Sequence, residues 1–136
     1  MNIEKEICDA LDNMDAVTTL VSTRIWDEWF RSDTYPAIVV EIDSETSQNT
    51  INGTGIIFLA SVNIICRADT RKASRALAEA VRLNGTDPGT GLAGYDGNFK
   101  AALVDRIPVA TPKDAGGNAY WYDTNLDFMV TWAEGD

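Results

Sequence analysis

The chain has 136 residues and a mass of 14.9 kDa, enough for one domain whose core needs neither disulfide nor metal as a staple. Its 45% apolar and 24% charged residues are close to globular averages, which excludes a disordered or collagen-like polymer. It contains no histidine, so Ser-His-Asp and Cys-His nucleophiles and His-ligated metal sites cannot be built, and a net charge of −10 repels nucleic acid phosphates.

Residues 2–14 carry Ile3, Ile7, Ala10, Leu11 and Met14 at three- and four-residue spacing, with acids on the other face. That predicts an amphipathic helix capped by Asn2. Glu4, Glu6, Asp9 and Asp12 are the opposite of the basic start of a signal peptide, and the longest apolar run, 56–60, is strand-sized. A soluble, non-secreted protein is expected. Residues 15–21 predict one or two further helical turns, and 24–26 a short strand before a loop to Pro36. From 37 to 47 the chain alternates, with Ile38, Val40 and Ile42 on one face and Glu41, Asp43 and Glu45 on the other. Residues 48–54 hold an Asn-Gly pair and predict a hairpin turn. The second arm, 55–67, is apolar on both faces, as in a strand central in a sheet or covered by another subunit.

Asp69 or Thr70 caps a helix over 70–83, with Ala73, Leu77, Ala80 and Val81 as its stripe and Asn84-Gly85 as its end. A glycine-rich loop runs to about Asn98, anchored by Tyr95 and Phe99. A strand over 101–109 is expected to stop near Pro108, and a flexible turn covers 113–118. The last strand, 119–133, puts Tyr120, Tyr122, Leu126, Phe128, Val130 and Trp132 on one face and Asp123, Asn125 and Asp127 on the other. The order α-β-β-β-α-β-β implies an α+β fold over residues 1–136. It is a mixed, mainly antiparallel sheet with two main helices packed on one face.

Gly89-Thr90-Gly91-Leu92-Ala93-Gly94 matches the dinucleotide pattern G-x-G-x-x-G. That fingerprint needs a strand before it and a helix after it, whereas here a helix precedes and turn residues follow. A loop is the expected reading, with a small nucleotide-binding enzyme on loop 85–98 as the alternative. Glu41, Asp43 and Glu45 have the spacing of paired glycosidase acids, but an exposed strand offers no pocket to shift a pKa, and a solvated face is expected. No catalytic, cofactor or metal residue is assigned. Cys8 and Cys66 read as small buried hydrophobes, and Trp26, Trp29, Tyr35, Trp121 and Trp132 as core or interface aromatics. Charge is polarised: Arg67, Arg71, Lys72, Arg75 and Arg82 outweigh Asp69 and Glu79, whereas the first fifteen residues hold five acids against Lys5. Such a pattern suits docking between copies or partners.

Several phrases of the chain, in order, resemble the tail-completion or tail-terminator proteins of long-tailed bacteriophages. Ile7 to Trp26 is similar to the family's N-terminal helix and the short strand after it, and Tyr35-Pro36-Ala37-Ile38-Val39-Val40 to the next strand. Ile64 to Arg82 resembles the strand-to-helix joint, and Asp123 to Trp132 the closing strand. Loop 85–98 and the polar tip 48–54 depart from the family's pattern. The resemblance implies a structural virion protein, not an enzyme and without a cofactor. Such proteins cap the tail tube as a ring, usually a hexamer, and form the head-to-tail joining surface at the neck, after assembly in the host cytoplasm. The partners implied are further copies of the chain, the tail tube protein and a head-closure or neck protein, with genome DNA passing through unbound and no membrane. Another neck component, a head-closure or adaptor protein, is the runner-up.

On that reading Arg71, Arg75 and Arg82 are expected to face Glu4, Asp9 and Asp12 across a subunit interface. Asn49, Ile51, Asn52 and Gly53 are expected to contact a neighbour or the tube, and Glu41, Asp43 and Glu45 to line the DNA channel.

Overall fold

Asn2 opens the first element: its Oδ1 accepts the Lys5 N–H at 3.1 Å, and helix α1 (Ile3–Asp12) buries Ile3, Ile7, Ala10 and Leu11. The computed structural model describes residues 1–49, 56–85, 90–113 and 119–134. The expected extra turns form a separate helix, α2 (Asp15–Val21), because the chain breaks at Asn13. The side chain of Met14 cannot cap α2, and the Ala16 N–H is instead accepted by Asn84 Oδ1, 68 positions away.

Strands β1 (Ile25–Asp27), β2 (Ala37–Asn49), β3 (Ile56–Ala68), β4 (Lys100–Pro112) and β5 (Tyr120–Glu134) form one sheet in the order β1-β2-β3-β5-β4. β1 runs parallel to β2, and every other pair is antiparallel. Helix α3 (Arg71–Leu83) is capped by Thr70, whose Oγ1 accepts the Ala73 N–H, and ends at Asn84 in the left-handed region. The fold is α+β as expected, with a third helix and one parallel strand pair added.

All three helices lie on one face. Ile38, Val40, Val62, Ile64, Leu126, Phe128 and Val130 meet Ile7, Leu11, Val17, Leu77 and Val81 in the core. α1 packs on β1 and β2, α3 on β3 and β5, and α2 against both helices. Buried Ser74 pins α3 to the sheet: its hydroxyl bonds the Cys66 carbonyl at 2.8 Å and the Thr124 hydroxyl at 2.9 Å. Three expectations need correction. β4 does not stop near Pro108 but runs through it to Pro112, because β4 is an edge strand and a proline nitrogen there can face outward without breaking a ladder. Asp123, expected on the polar face with Asn125 and Asp127, is buried there beside Arg67. The acidic alternation in β2 is broken by a bulge between Ile42 and Ser44.

Candidate interaction surfaces

Residues opposite each other on neighbouring strands share a face, so the register assigns each acid of β2. Glu41 pairs with Asn63, which pairs with Asp127, which pairs with Asp105; all four lie on the face without helices. Asp43 sits at the bulge close enough to Asp127 to disfavour its charge. The Asp127 carboxyl is raised above its ordinary value first by burial, then by Asp43 and Asp105. Past the bulge Glu45 pairs with Ala60, a core residue of the helix face. The expected single row Glu41, Asp43 and Glu45 is therefore split, and Asp105 and Asp127 replace Glu45 in it.

Glu45 belongs to a second acidic cluster. The Glu4 carboxyl of α1 is raised by burial first, then by Asp27, Glu28 and Glu45. The N-terminal amino group of Met1 pairs with Glu134, which stands opposite Ile56. The start of α1 and the start of β3 therefore lie together. Asp9 and Asp12 are exposed further along α1, with Asp9 in an i,i+4 pair with Lys5 at 2.8 Å. The hairpin positions Ile51, Asn52 and Gly53 lie outside the described residues, and Asn49 ends β2. On the returning arm Ile56 and Ile57 are 38% and 41% exposed.

Opposite charge gathers on α3. Arg71 lies over the Tyr122 ring at 5.1 Å, and its Nη1 is buried without a hydrogen-bond partner. Lys72 and Arg75 are exposed and make no ion pair among the described residues. Arg82, grouped with Arg71 and Arg75 from sequence, is already held by Glu79 at 2.7 Å; Glu79 also receives Arg106 of β4. Among the described residues the α3 cations without an ion pair are thus at its start, beside a shallow groove of about 540 Å³. This groove shares Ala76 and Glu79 with a second, of about 460 Å³, between α2 and α3.

The glycine-rich stretch has a structural job. Leu92 and Ala93 donate their N–H groups to the Val81 and Arg82 carbonyls at the end of α3, and a Cβ on Gly91 would come within 2.2 Å of the Arg82 oxygen. The loop satisfies the negative, C-terminal end of a helix, the wrong pole for a phosphate.

Sequence reading missed one constellation on the open face. Arg67 donates to both carboxylate oxygens of Asp123, at 2.8 and 2.9 Å, while its guanidinium is sandwiched between Phe30 at 4.4 Å and Trp121 at 4.6 Å. Tyr35 bridges Phe30 and Trp121, so the 28–36 loop is clamped against the sheet. Beside it is an open hollow of about 520 Å³ where Trp29 is 62% exposed. Both cysteines are free; burial pushes their thiols up, that of Cys8 to about 12. Among the described residues no group of three or more Asp, Glu or Cys could hold a metal ion, and no helix is long and apolar enough to cross a membrane.

No family model and no curated protein matches this chain. Among solved structures it is similar to a chain from the virion of a native gene transfer agent particle. The two share 16% identity with a TM-score of 0.55, over 94% of this chain and 92% of that one. At that identity the likeness is one of fold.

Proposed function

We propose that this protein is a structural, non-enzymatic component of a bacteriophage virion that caps the tail tube as a ring and presents the head-to-tail joining surface at the neck. The fold likeness to a gene transfer agent virion chain supports a place in a virion, and the ordered sequence phrases support the tail-terminator assignment. The observation that carries the reading is the separation of charge on the surface, cationic at the start of α3, where Lys72 and Arg75 make no ion pair among the described residues, and acidic along α1, where Lys5 is the one cation against Glu4, Glu6, Asp9 and Asp12. Surfaces that complement each other without being the same surface build head-to-tail assemblies, which close into rings when the rotation permits.

In such a ring, of six copies as the family resemblance implies, Arg71 and Arg75 face Glu4, Asp9 and Asp12 of the next copy, while Arg82 stays with Glu79. Glu41 and Asp43 border the channel through which DNA passes unbound. Tube protein meets one rim and a head-closure protein the other. The test is disruption of the gene in a phage that carries it, followed by electron microscopy. A tube without its cap keeps growing, so filled heads beside unjoined, overlong tails are expected. Normal tails beside heads that have lost their DNA would instead identify a head-closure protein, and normal particles would overturn any neck role.

A further inference from the structure

We propose that the groove between α2 and α3 is the seat for the acidic end of a second copy of this chain, entered by Ile56 of the β2–β3 hairpin with Glu45 and Glu4 beside it. The inference rests on the ring reading and deepens it by naming the two surfaces that meet.

The seat has an apolar floor and a cationic rim. Leu20, Ala76 and Ala80 form the floor, with Leu20 37% exposed although it is apolar. The small side chains of Ala76 and Ala80 leave room for a branched one. The rim is Arg71, Lys72 and Arg75, none of them in an ion pair among the described residues of a chain whose net charge is −10.

The incoming end has the complementary make-up. Ile56 is exposed at the end of β3, and the α1 start is tied beside it through Met1 and Glu134. Glu45 shares the helix face with Ala60, near Glu4, Asp27 and Glu28; Arg31 holds Asp27 at 2.7 Å, which leaves Glu4, Glu28 and Glu45 without an ion pair among the described residues. The two clusters cannot neutralise each other within one copy. From Ala60, opposite Glu45, to Ala68, where β3 hands over to α3, is eight strand residues, roughly 26 Å. Screening at physiological salt acts over about 8 Å. Only another molecule can bring them together.

Joining by sheet edges is obstructed. β4 carries Pro108 and Pro112 and a bulge between Leu103 and Asp105, and the free edge of β2 has its own bulge beside Glu41 and Asp43. Such features blunt strand addition. That leaves faces rather than edges for contact between copies.

The experiment uses the full chain with Ile56→Cys and Ala76→Cys together and a short bis-maleimide at neutral pH. Burial keeps the Cys8 and Cys66 thiols protonated there, so the introduced thiols react first. A ladder of covalent oligomers is expected from the double variant, and at most dimers from a mixture of the two single variants. Arg75→Glu alone and Glu45→Lys alone should each reduce the ladder by about tenfold, and the two in one chain should restore most of it. Ser47→Cys, opposite Phe58 on the same face as Glu45, is the second probe, and unchanged thermal melts certify each fold. No ladder from either probe, or a ladder indifferent to both reversals, overturns the docking. So does capture of the tube protein at Ala76→Cys in place of a second copy. Rings seen by microscopy without the ladder would remove this docking and leave the ring reading intact. A ladder from a protein absent from the tail top would do the reverse.

Discussion

Asn84 does two jobs at once. Its backbone is in the left-handed region at φ 52° and closes α3 through a bond from its N–H to the Ala80 carbonyl, while its side chain caps α2. Asn84→Gly keeps the first job and loses the second, so it should cost about 1 kcal/mol in a denaturant melt, and Asn84→Ala should cost more because it strains the turn as well. The Arg67–Asp123 pair is a sharper case, since their side chains are 15% and 7% exposed. Asp123→Leu leaves a guanidinium buried without its counter-charge and should cost about 3 kcal/mol, whereas Arg67→Met with Asp123→Leu should recover much of that loss. Equal losses in the single and double variants would show that the ion pair is not the source. A single sequence could mark Asn84-Gly85 as a helix end because that signal is local. It could not pair Arg67 with Asp123, 56 positions apart, because that pairing depends on the register between β3 and β5, which are joined through α3 and β4.

The elements themselves were readable from their spacing, because three- and four-residue stripes and strict alternation each report one buried face. α3 begins one residue from its expected start, at Thr70's cap, and β2, β3 and β5 each fall within two residues of their expected limits. Bulges left no such trace. The one in β2 moved Glu45 to the helix face, and the one in β4 brought Asp105 opposite Asp127. Like charges directly opposite on neighbouring strands destabilise a sheet. Asp127, raised from its ordinary 3.8, binds its proton more tightly folded than unfolded. Its charge therefore begins to cost stability as pH rises past the ordinary value, and the full cost is present above the folded value. Asp127→Asn should raise the melting temperature at pH 7, and the gain should vanish below about pH 3.8. An equal gain at both pH values would assign the effect to packing instead.

At the scale of the whole molecule, the sheet has one face closed by helices and one left open, and the bulges sort the acids between them. The open face bears Glu41, Asp105 and Asp127 in one cross-strand row with Asp43 beside it, whereas Glu45 belongs to the helix side. If the open face borders the channel of a ring, six copies at −10 each surround the passing DNA with roughly −60 charges, and the row nearest the duplex sets the local repulsion. Repulsion retained at a cost to the sheet is what a passage for phosphates requires, since attraction would slow the genome on its way through. The consequence is testable by sign. Glu41→Lys with Asp43→Lys and Asp105→Lys should create duplex binding that weakens steeply with salt, because phosphates neutralised by lysine release counterions. Glu45→Lys, on the other face, should create none in the same electrophoretic assay while still weakening assembly. A triple variant that assembles and leaves DNA unretarded, or a Glu45→Lys variant that binds DNA as well as the triple does, would put the channel on a different surface.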